Sequence, residues 1–315
     1  MGLSIDNHSR PRTLQPEGNG RPATDELRVM TLNVGGGWKN ELFNSDGMDP
    51  GDVDELARRI ANQDVDVATL QEVWAMDVPE LERQLEQITG DDWDLHFAQA
   101  STKVRCDDDN WGTLHLDQPF GNVIAVRLGD GVARSQLVGE QKLDARGDDG
   151  SDGRVAISVR VFTDDGASVD VVTAHTDYDG VSEAARAQQI EDLRSFAEDA
   201  ADGRPVIITG DLNDTIGNND PASRALRDYV HEHGYVDAGN IGPTSDFGDG
   251  RRIDFIFTSD GIDSASPERV QGHSPDEQGA DRDLSDHDGI VVDVEIPVVE
   301  DAVGSGGGGG SAGSW

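Results

Sequence analysis

The sequence predicts a layered domain of mixed strands and helices, an α/β or α+β fold. Three observations carry this. Segments rich in Val and Ile recur along the chain, several with period-two alternation and bounded by turn residues. Between them lie stretches whose apolar residues return at helical spacing. With 315 residues, the chain is long enough to bury an extensive core.

Residues 1–26 carry Pro, Gly, Asn and Arg without periodicity and read as a tail. The first strand is expected at 28–34 (RVMTLNV). A helix should follow, with Asp52 as cap, Glu55 three residues on, and Val53, Leu56, Ala57 and Ile60 on one face. Strands are then expected at 65–73, 93–99, 121–128, 155–162 and 168–175. Ser182 can cap a second helix with Ala187, Ile190, Leu193 and Ala197 inward. After a strand at 205–210, a third helix spans about 220–233 and stops at Gly234, a favoured residue just past a helix end. Strands at 253–258 and 289–296 complete the set. Segments 35–50, 100–120, 143–153 and 261–285 read as irregular loops. Residues 299–315 end in GSGGGGGSAGSW, a flexible Gly/Ser stretch. Residues 27–298 therefore read as one domain, without repeats or an internal linker.

Composition narrows the function. There are 63 acidic residues against 25 basic ones, a net charge of −38. The lysines are Lys39, Lys103 and Lys142. Such a chain repels itself at low ionic strength, and molar salt screens that repulsion. Excess Asp with scarce Lys resembles the proteins of salt-in halophiles. The balance argues against a broad basic nucleic-acid surface, but not against a polyanion held through a metal. No apolar run approaches a membrane span, and the first 30 residues lack a secretory core. The default expectation is a cytoplasmic monomer, with secretion as the alternative if the chain is a processed form. The single cysteine, Cys106, excludes an internal disulfide and any multi-cysteine metal site.

Polar residues at the ends of apolar strands carry the chemistry. Asn33 ends the first strand, Gln71 and Glu72 the second, and His175 the strand VDVVTAH. Asp211 and Asn213 follow PVIITG, Asp254 sits in RRIDFIF, and Asp286 and His287 lie in LSDHDG. Singly, each reads as a turn, cap or exposed residue. Together they supply hard oxygen ligands for Mg²⁺, Mn²⁺ or Ca²⁺ and acid–base groups that work near neutral pH. An Asp-x-Asn pair can take a proton from water while donating hydrogen bonds to developing negative charge.

These pieces, in this order, resemble the endonuclease/exonuclease/phosphatase superfamily with its DNase I-like fold. The matching segments are TLNV, LQEV, GNVIAV, TAHT, RAQQIEDL, ITGDLND, RRIDFIF and LSDHDG, spread over about 27–296. The resemblance implies a four-layer sandwich, two mostly antiparallel sheets face to face with helices outside, and a phosphoesterase site at one end. It implies Glu72 as main metal ligand, with Asn33 and Asp286 contributing directly or through water. Asp254 would orient His287. His287 and Asp211 would activate and place the attacking water, His175 would assist the leaving oxygen, and Asn213 would bind a non-bridging oxygen. The implied activity is that of a metal-dependent phosphodiesterase, in the first place a nuclease acting on DNA or RNA. A phosphomonoesterase or phospholipase acting on a phosphorylated small molecule or lipid headgroup is the alternative, and a non-catalytic binding protein the lesser one. One departure stands out: Asp288-Gly289 follows His287 where the family usually has an apolar or aromatic residue and then Pro.

Three further signals are weak. DDDNWGTLHLDQ at 107–118 resembles a calcium loop, but Trp111 and Gln118 occupy ligand positions. Arg146-Gly147-Asp148 falls in an Asp-rich stretch. Trp38, Trp74 and Trp111 could stack on a base or pack in the protein.

Overall fold

The computed structural model describes residues 24–35, 50–106, 114–143, 153–178, 181–245, 250–272 and 285–298. Its elements, in order, are β1 (Thr24–Asn33), α1 (Pro50–Asn62), β2 (Val67–Trp74), α2 (Val78–Thr89), β3 (Trp93–Cys106), β4 (Leu114–Arg127), β5 (Val132–Lys142), β6 (Val155–Thr163), β7 (Ser168–His175), α3 (Glu183–Ala201), β8 (Val206–Asp211), α4 (Pro221–His231), β9 (Val236–Asp237), β10 (Asp254–Thr258), β11 (Asp263–Ser264), β12 (Glu268–Val270) and β13 (Gly289–Pro297).

The strands form two sheets. One runs β11-β13-β1-β2-β4-β3, with β12 also on β13; the other runs β5-β6-β7-β8-β10-β9. All pairings are antiparallel except β1 with β2 and β7 with β8. Period two sorts each strand's residues onto two faces. Leu27, Val29, Val67, Ile124, Val159, Val171, Ile207, Ile256 and Val292 meet in one apolar layer between the sheets. The alternate residues Met30, Leu32, Ala68 and Leu70 pack with Leu56, Ile60, Leu81 and Leu85 of α1 and α2. On the other sheet, Val172, Ala174, Ile208 and Phe255 pack with Ile190, Leu193, Leu226 and Tyr229 of α3 and α4. Helix, sheet, sheet, helix is the four-layer α/β sandwich that the motifs imply.

Read along the strands, the layer between the sheets changes character. Leu27 and Val29 give way to Thr31 and Asn33, Val67 to Thr69 and Gln71, Val171 to Thr173 and His175, and Ile207 to Thr209 and Asp211. The Thr and Gln side chains form a polar stratum that ties the sheets together. Thr209 donates Oγ1–H to Thr69 Oγ1 at 2.8 Å, and Gln71 donates Nε2–H to Thr173 Oγ1 at 2.9 Å. Buried polar groups are tolerated when paired in this way. Above the stratum, the strand ends expose the chemistry.

Several expectations need correction. β1 starts at Thr24, inside the expected tail, because Thr24–Glu26 pair with Glu295–Pro297 of β13. α1 starts at Pro50, ahead of the expected cap Asp52; a proline's fixed φ suits a first helical turn. α2 was not expected, although Pro79 lies in its first turn and Leu81 and Leu85 are buried. β5 was also not expected: it is an edge strand, mostly half-buried or exposed, so it lacks a continuous apolar face. Residues 100–106 and 114–120, expected as loop, extend the β3–β4 hairpin, and 261–272 contain β11 and β12. Trp74 packs edge-on against Phe120 at 4.9 Å and is buried, so it is core rather than a stacking platform. Trp38, Trp111, the calcium-like stretch before Leu114 and Arg146–Asp148 lie outside the described residues. Among the described residues, no helix is long and apolar enough to cross a membrane.

Candidate active site

The site is built at the ends of β1, β2, β7, β8 and β10 and on the segment before β13. Two backbone devices aim its side chains. Regular alternation would send Glu72 towards the helices with Leu70. Instead the β2–β4 register shifts between Leu70 and Val73, and Glu72 adopts φ 61°. This bulge inserts one residue, so that Val73 regains the helix-facing side and Glu72 turns towards the site. A glutamate in the left-handed region costs about 1–3 kcal/mol, a cost more often borne at functional positions than elsewhere. The second device is Gly210, with φ 133°, where a Cβ would lie 2.0 Å from Ala174 O. Only glycine lets β8 come this close to β7 just before Asp211.

Asn33 sits between two carboxylates. Its Nδ2 donates to Asp211 Oδ2 at 2.9 Å and to Glu72 Oε1 at 3.3 Å, while its Oδ1 accepts Gly35 N–H at 2.9 Å. Asp254 Oδ2 accepts from His287 Nδ1 at 2.9 Å, and His287 Nε2 faces Asp211 Oδ2 at 3.7 Å. His175 Nε2 lies 3.5 Å from Asp211 Oδ2, and its Nδ1 lies 3.6 Å from Glu72 Oε1. Asn213, another non-glycine residue with positive φ (49°), places Nδ2 2.9 Å from His175 Nε2 and donates to Thr176 O at 3.0 Å. Asn tolerates this conformation better than most residues. Ser285 donates Oγ–H to Asn33 O at 2.6 Å and accepts His287 N–H, locking the His287 segment onto β1. The structure thus gathers Asn33, Glu72, His175, Asp211, Asn213, Asp254 and His287 into one contact network. Asp286, half-buried, adjoins it through its charge interactions with His287, Glu72 and Asp254.

The electrostatics divide the carboxylates. Burial pushes Asp211 up to about 7, with the Asp254 charge adding to it, while the His287 charge and the Asn33 and Asn213 donors oppose the rise. Burial alone would lower His287, but Asp254 and Asp211 outweigh it and raise the imidazole to about 10. His287 is therefore an imidazolium at neutral pH. Burial also raises Asp286, and Glu72 contributes to that rise. No Lys or Arg side chain among the described residues pairs with Glu72 or Asp286. Asp254 Oδ1 is buried without a hydrogen-bond partner among the described residues. Concentrated carboxylate oxygen without a matching cation is the donor chemistry of a hard divalent ion. Asp211, Asp254 and His287 have ligand atoms within 4.8 Å of one another. Asp254 Oδ2 is committed to His287 while its Oδ1 is not, and Glu72 and Asp286 add further carboxylate oxygen beside this group.

This arrangement fixes a pH dependence. With a folded pKa raised above the usual 6.5 to about 10, His287 contributes stability that is fully present below about pH 6.5 and lost as the pH rises through 10. Urea unfolding of the metal-free chain should show wild type losing more stability between pH 6 and pH 10 than His287→Gln. Equal losses would show that the imidazolium is not held this way.

Beside Glu72 and His175 opens a small cleft, lined also by Ser101, Phe120, Asn122 and Arg154. Arg154 is buried and donates Nε–H to Asp177 Oδ1 at 2.7 Å, and its two outer nitrogens make no hydrogen bond among the described residues. Sequence reasoning missed it, because one arginine before a strand carries no distinguishing pattern. Tyr178, three residues beyond His175, is half-exposed.

The sequence matches the model of the Endonuclease/Exonuclease/phosphatase family over residues 30–287, and the chain belongs to that family. Solved structures share the fold. A family member from Bacteroides vulgatus superposes with TM-score 0.64 at 20% identity, covering 86% of this chain and 99% of its own. A mannosyl-6-phosphatase from Bacteroides thetaiotaomicron gives 0.64 at 18%, covering 85% and 99%. The human Nocturnin catalytic domain with bound sulfate gives 0.60 at 17%, covering 88% and 100%. No curated protein matches in sequence.

Proposed function

We propose that the chain is a metal-dependent phosphodiesterase, in the first place a nuclease acting on DNA or RNA, that cleaves by in-line attack of water. The observation that carries this is the gathering at one end of the sheets of a cation-poor carboxylate pair and an Asp-oriented imidazolium, beside a cleft lined by Glu72, a second histidine and a guanidinium with uncommitted outer nitrogens among the described residues. Glu72 and Asp286 would hold Mg²⁺ or Mn²⁺, with Ca²⁺ as a further candidate and Asn33 contributing directly or through water. Once bound, the ion supplies charge neutralisation at the phosphoryl oxygens.

The chain's own groups divide the remaining work. Asp211, with a pKa near neutrality, is suited to take the proton of the attacking water. Asp254 keeps His287 oriented and charged, so that Nε2–H faces the developing negative charge. Asn213 Nδ2 donates to a non-bridging oxygen. His175 faces the leaving oxygen, and Arg154 anchors the phosphate from the cleft side. The half-exposed Tyr178 offers a ring on which a base can stack.

One observation favours a smaller substrate. Arg186 pairs with Asp214 at 3.2 Å, Arg252 with Asp237 at 2.7 Å, and Arg269 with Asp288 at 2.5 Å. With these arginines internally paired, no continuous cationic track for a long polyanion is seen among the described residues. A phosphomonoesterase or a phospholipase acting on a headgroup is the second reading. A matched hydrolysis assay separates them, run in roughly 2 M KCl to screen the acidic surface. It compares a DNA strand, an RNA strand, a bis-aryl phosphodiester and an aryl phosphomonoester, each with Mg²⁺, Mn²⁺ or EDTA. Strand cleavage lost in EDTA is the expected result. Monoester turnover without strand cleavage would replace the nuclease reading with the second one.

A further inference from the structure

The residue after His287 replaces the family's usual apolar or aromatic side chain with an aspartate, and the structure gives that aspartate a specific set of partners. Asp288 is buried. Its Oδ1 accepts Gly272 N–H at 3.0 Å, its Oδ2 accepts from Arg269 Nη1 at 2.5 Å, and its own N–H donates to Thr244 O at 2.7 Å. Arg59 of α1 donates Nη1–H to Gly272 O at 2.8 Å, and Ser285 N–H reaches the same oxygen at 3.3 Å.

The contacts on either side make this set relevant to catalysis. Gly272 lies directly under the His287 carbonyl: a Cβ on it would be 1.6 Å from His287 O. Thr244, which receives the Asp288 N–H, accepts with Oγ1 from Ile253 N–H and Asp254 N–H, both at 3.2 Å. Ser245 and His287 form a β-bridge. The Asp288 partners therefore touch the backbone of both members of the His287–Asp254 pair.

We propose that Asp288 is a positioning residue. Clasped by Gly272 and Arg269, it fixes the His287 backbone so that the imidazole Nδ1–H stays aimed at Asp254. The proposal rests on the hydrolase reading only for its kinetic consequence; the geometric consequence stands apart from it. The clasp replaces apolar packing with directional hydrogen bonds. The following residue, Gly289, carries no side chain of its own to stiffen the segment.

The test uses the full chain and three variants, Asp288→Ala, Asp288→Asn and Arg269→Ala, with two readouts. The first is the Nδ1–H resonance of His287 in the metal-free protein, observed with ¹⁵N-labelled histidine and assigned by its absence in His287→Gln. Asp288→Ala should shift or broaden it, and Asp288→Asn, which keeps an acceptor for Gly272 N–H, should restore it. The second is steady-state hydrolysis well below the melting temperature. Asp288→Ala should lower kcat about 30-fold with KM within about twofold, because misplacement of a catalytic group is felt in the transition state. Asp288→Asn should recover to within about threefold of wild type by keeping the acceptor. If Asp288→Ala does not fold, Arg269→Ala carries the test, since that side chain is a third exposed. It should shift the resonance and lower kcat about threefold. Folded variants with an unmoved resonance and wild-type kcat would overturn the proposal. A shifted resonance in a protein whose wild type hydrolyses no phosphoester would uphold the clasp and reject the hydrolase reading instead.

Discussion

Asp254→Asn is expected to lower kcat by about 10³-fold or more while leaving the fold intact. Asp254 is fully buried at the start of β10, with Oδ2 2.9 Å from His287 Nδ1. An amide there is nearly isosteric, so packing is preserved. What changes is the charge. Asp254 and Asp211 together overcome the burial that would otherwise deprotonate His287. Without the Asp254 carboxylate the imidazole loses its strongest reason to carry a proton, and an asparagine presenting its amide N–H would force Nδ1 to become the acceptor. The same change should also move Asp211 up: it removes the Asp254 charge that raises Asp211 but, once His287 is neutral, also the stronger His287 charge that lowers it. A pH–rate profile checks this: the acidic limb attributed to Asp211 should move to higher pH as kcat falls. A variant with near-wild-type kcat would remove His287 from the reaction.

Glu72→Gln is expected to abolish metal-dependent hydrolysis, by about 10³-fold or more, without loss of stability. The backbone around Glu72 is arranged for placement rather than comfort: a register shift and φ 61° bring its carboxylate to the edge of the cleft. There it faces Asn33 Nδ2 and His175 Nδ1 and adds to the field that raises Asp286. Removing one charge from a crowded carboxylate group relieves repulsion, so thermal stability in EDTA should hold or rise. Titration calorimetry with Mn²⁺ should show weakened binding in the same variant. Binding and turnover both unchanged would place the metal elsewhere, with Asp211, Asp254 and His287 as the next candidate group.

Much of the fold was legible because burial writes itself into period. β1, β2, β7 and β8 contribute to core on both faces, β6 and β13 chiefly to the layer between the sheets, and their Val/Ile runs stand out in the sequence. α3 announced its start: Ser182 Oγ accepts Ala185 N–H at 3.2 Å, as a serine cap should. α2 and β5 were not legible, the first because its buried residues are few among charged ones, the second because an edge strand has little to bury. Asn33, His175, Asp211 and Asp254 were visible as polar ends of apolar strands, continuing the parity of the layer between the sheets. Glu72 breaks that parity, and only the bulge explains how it joins the others. Arg154 could not be found in this way, and Asp288 showed only as a departure after His287, without its partners. Their importance lies in partners distant along the chain, Asp177 for the first, Arg269 and Gly272 for the second.

The most direct measurement of the central claim is hydrolysis of a bis-aryl phosphodiester in ¹⁸O-labelled water with Mn²⁺, read by mass spectrometry of both products. Attack of a water placed by Asp211 and His287 on phosphorus predicts a single ¹⁸O in the phosphoryl product, none in the released alcohol, and no product in EDTA. Label in the alcohol, or turnover indifferent to EDTA, would contradict the account.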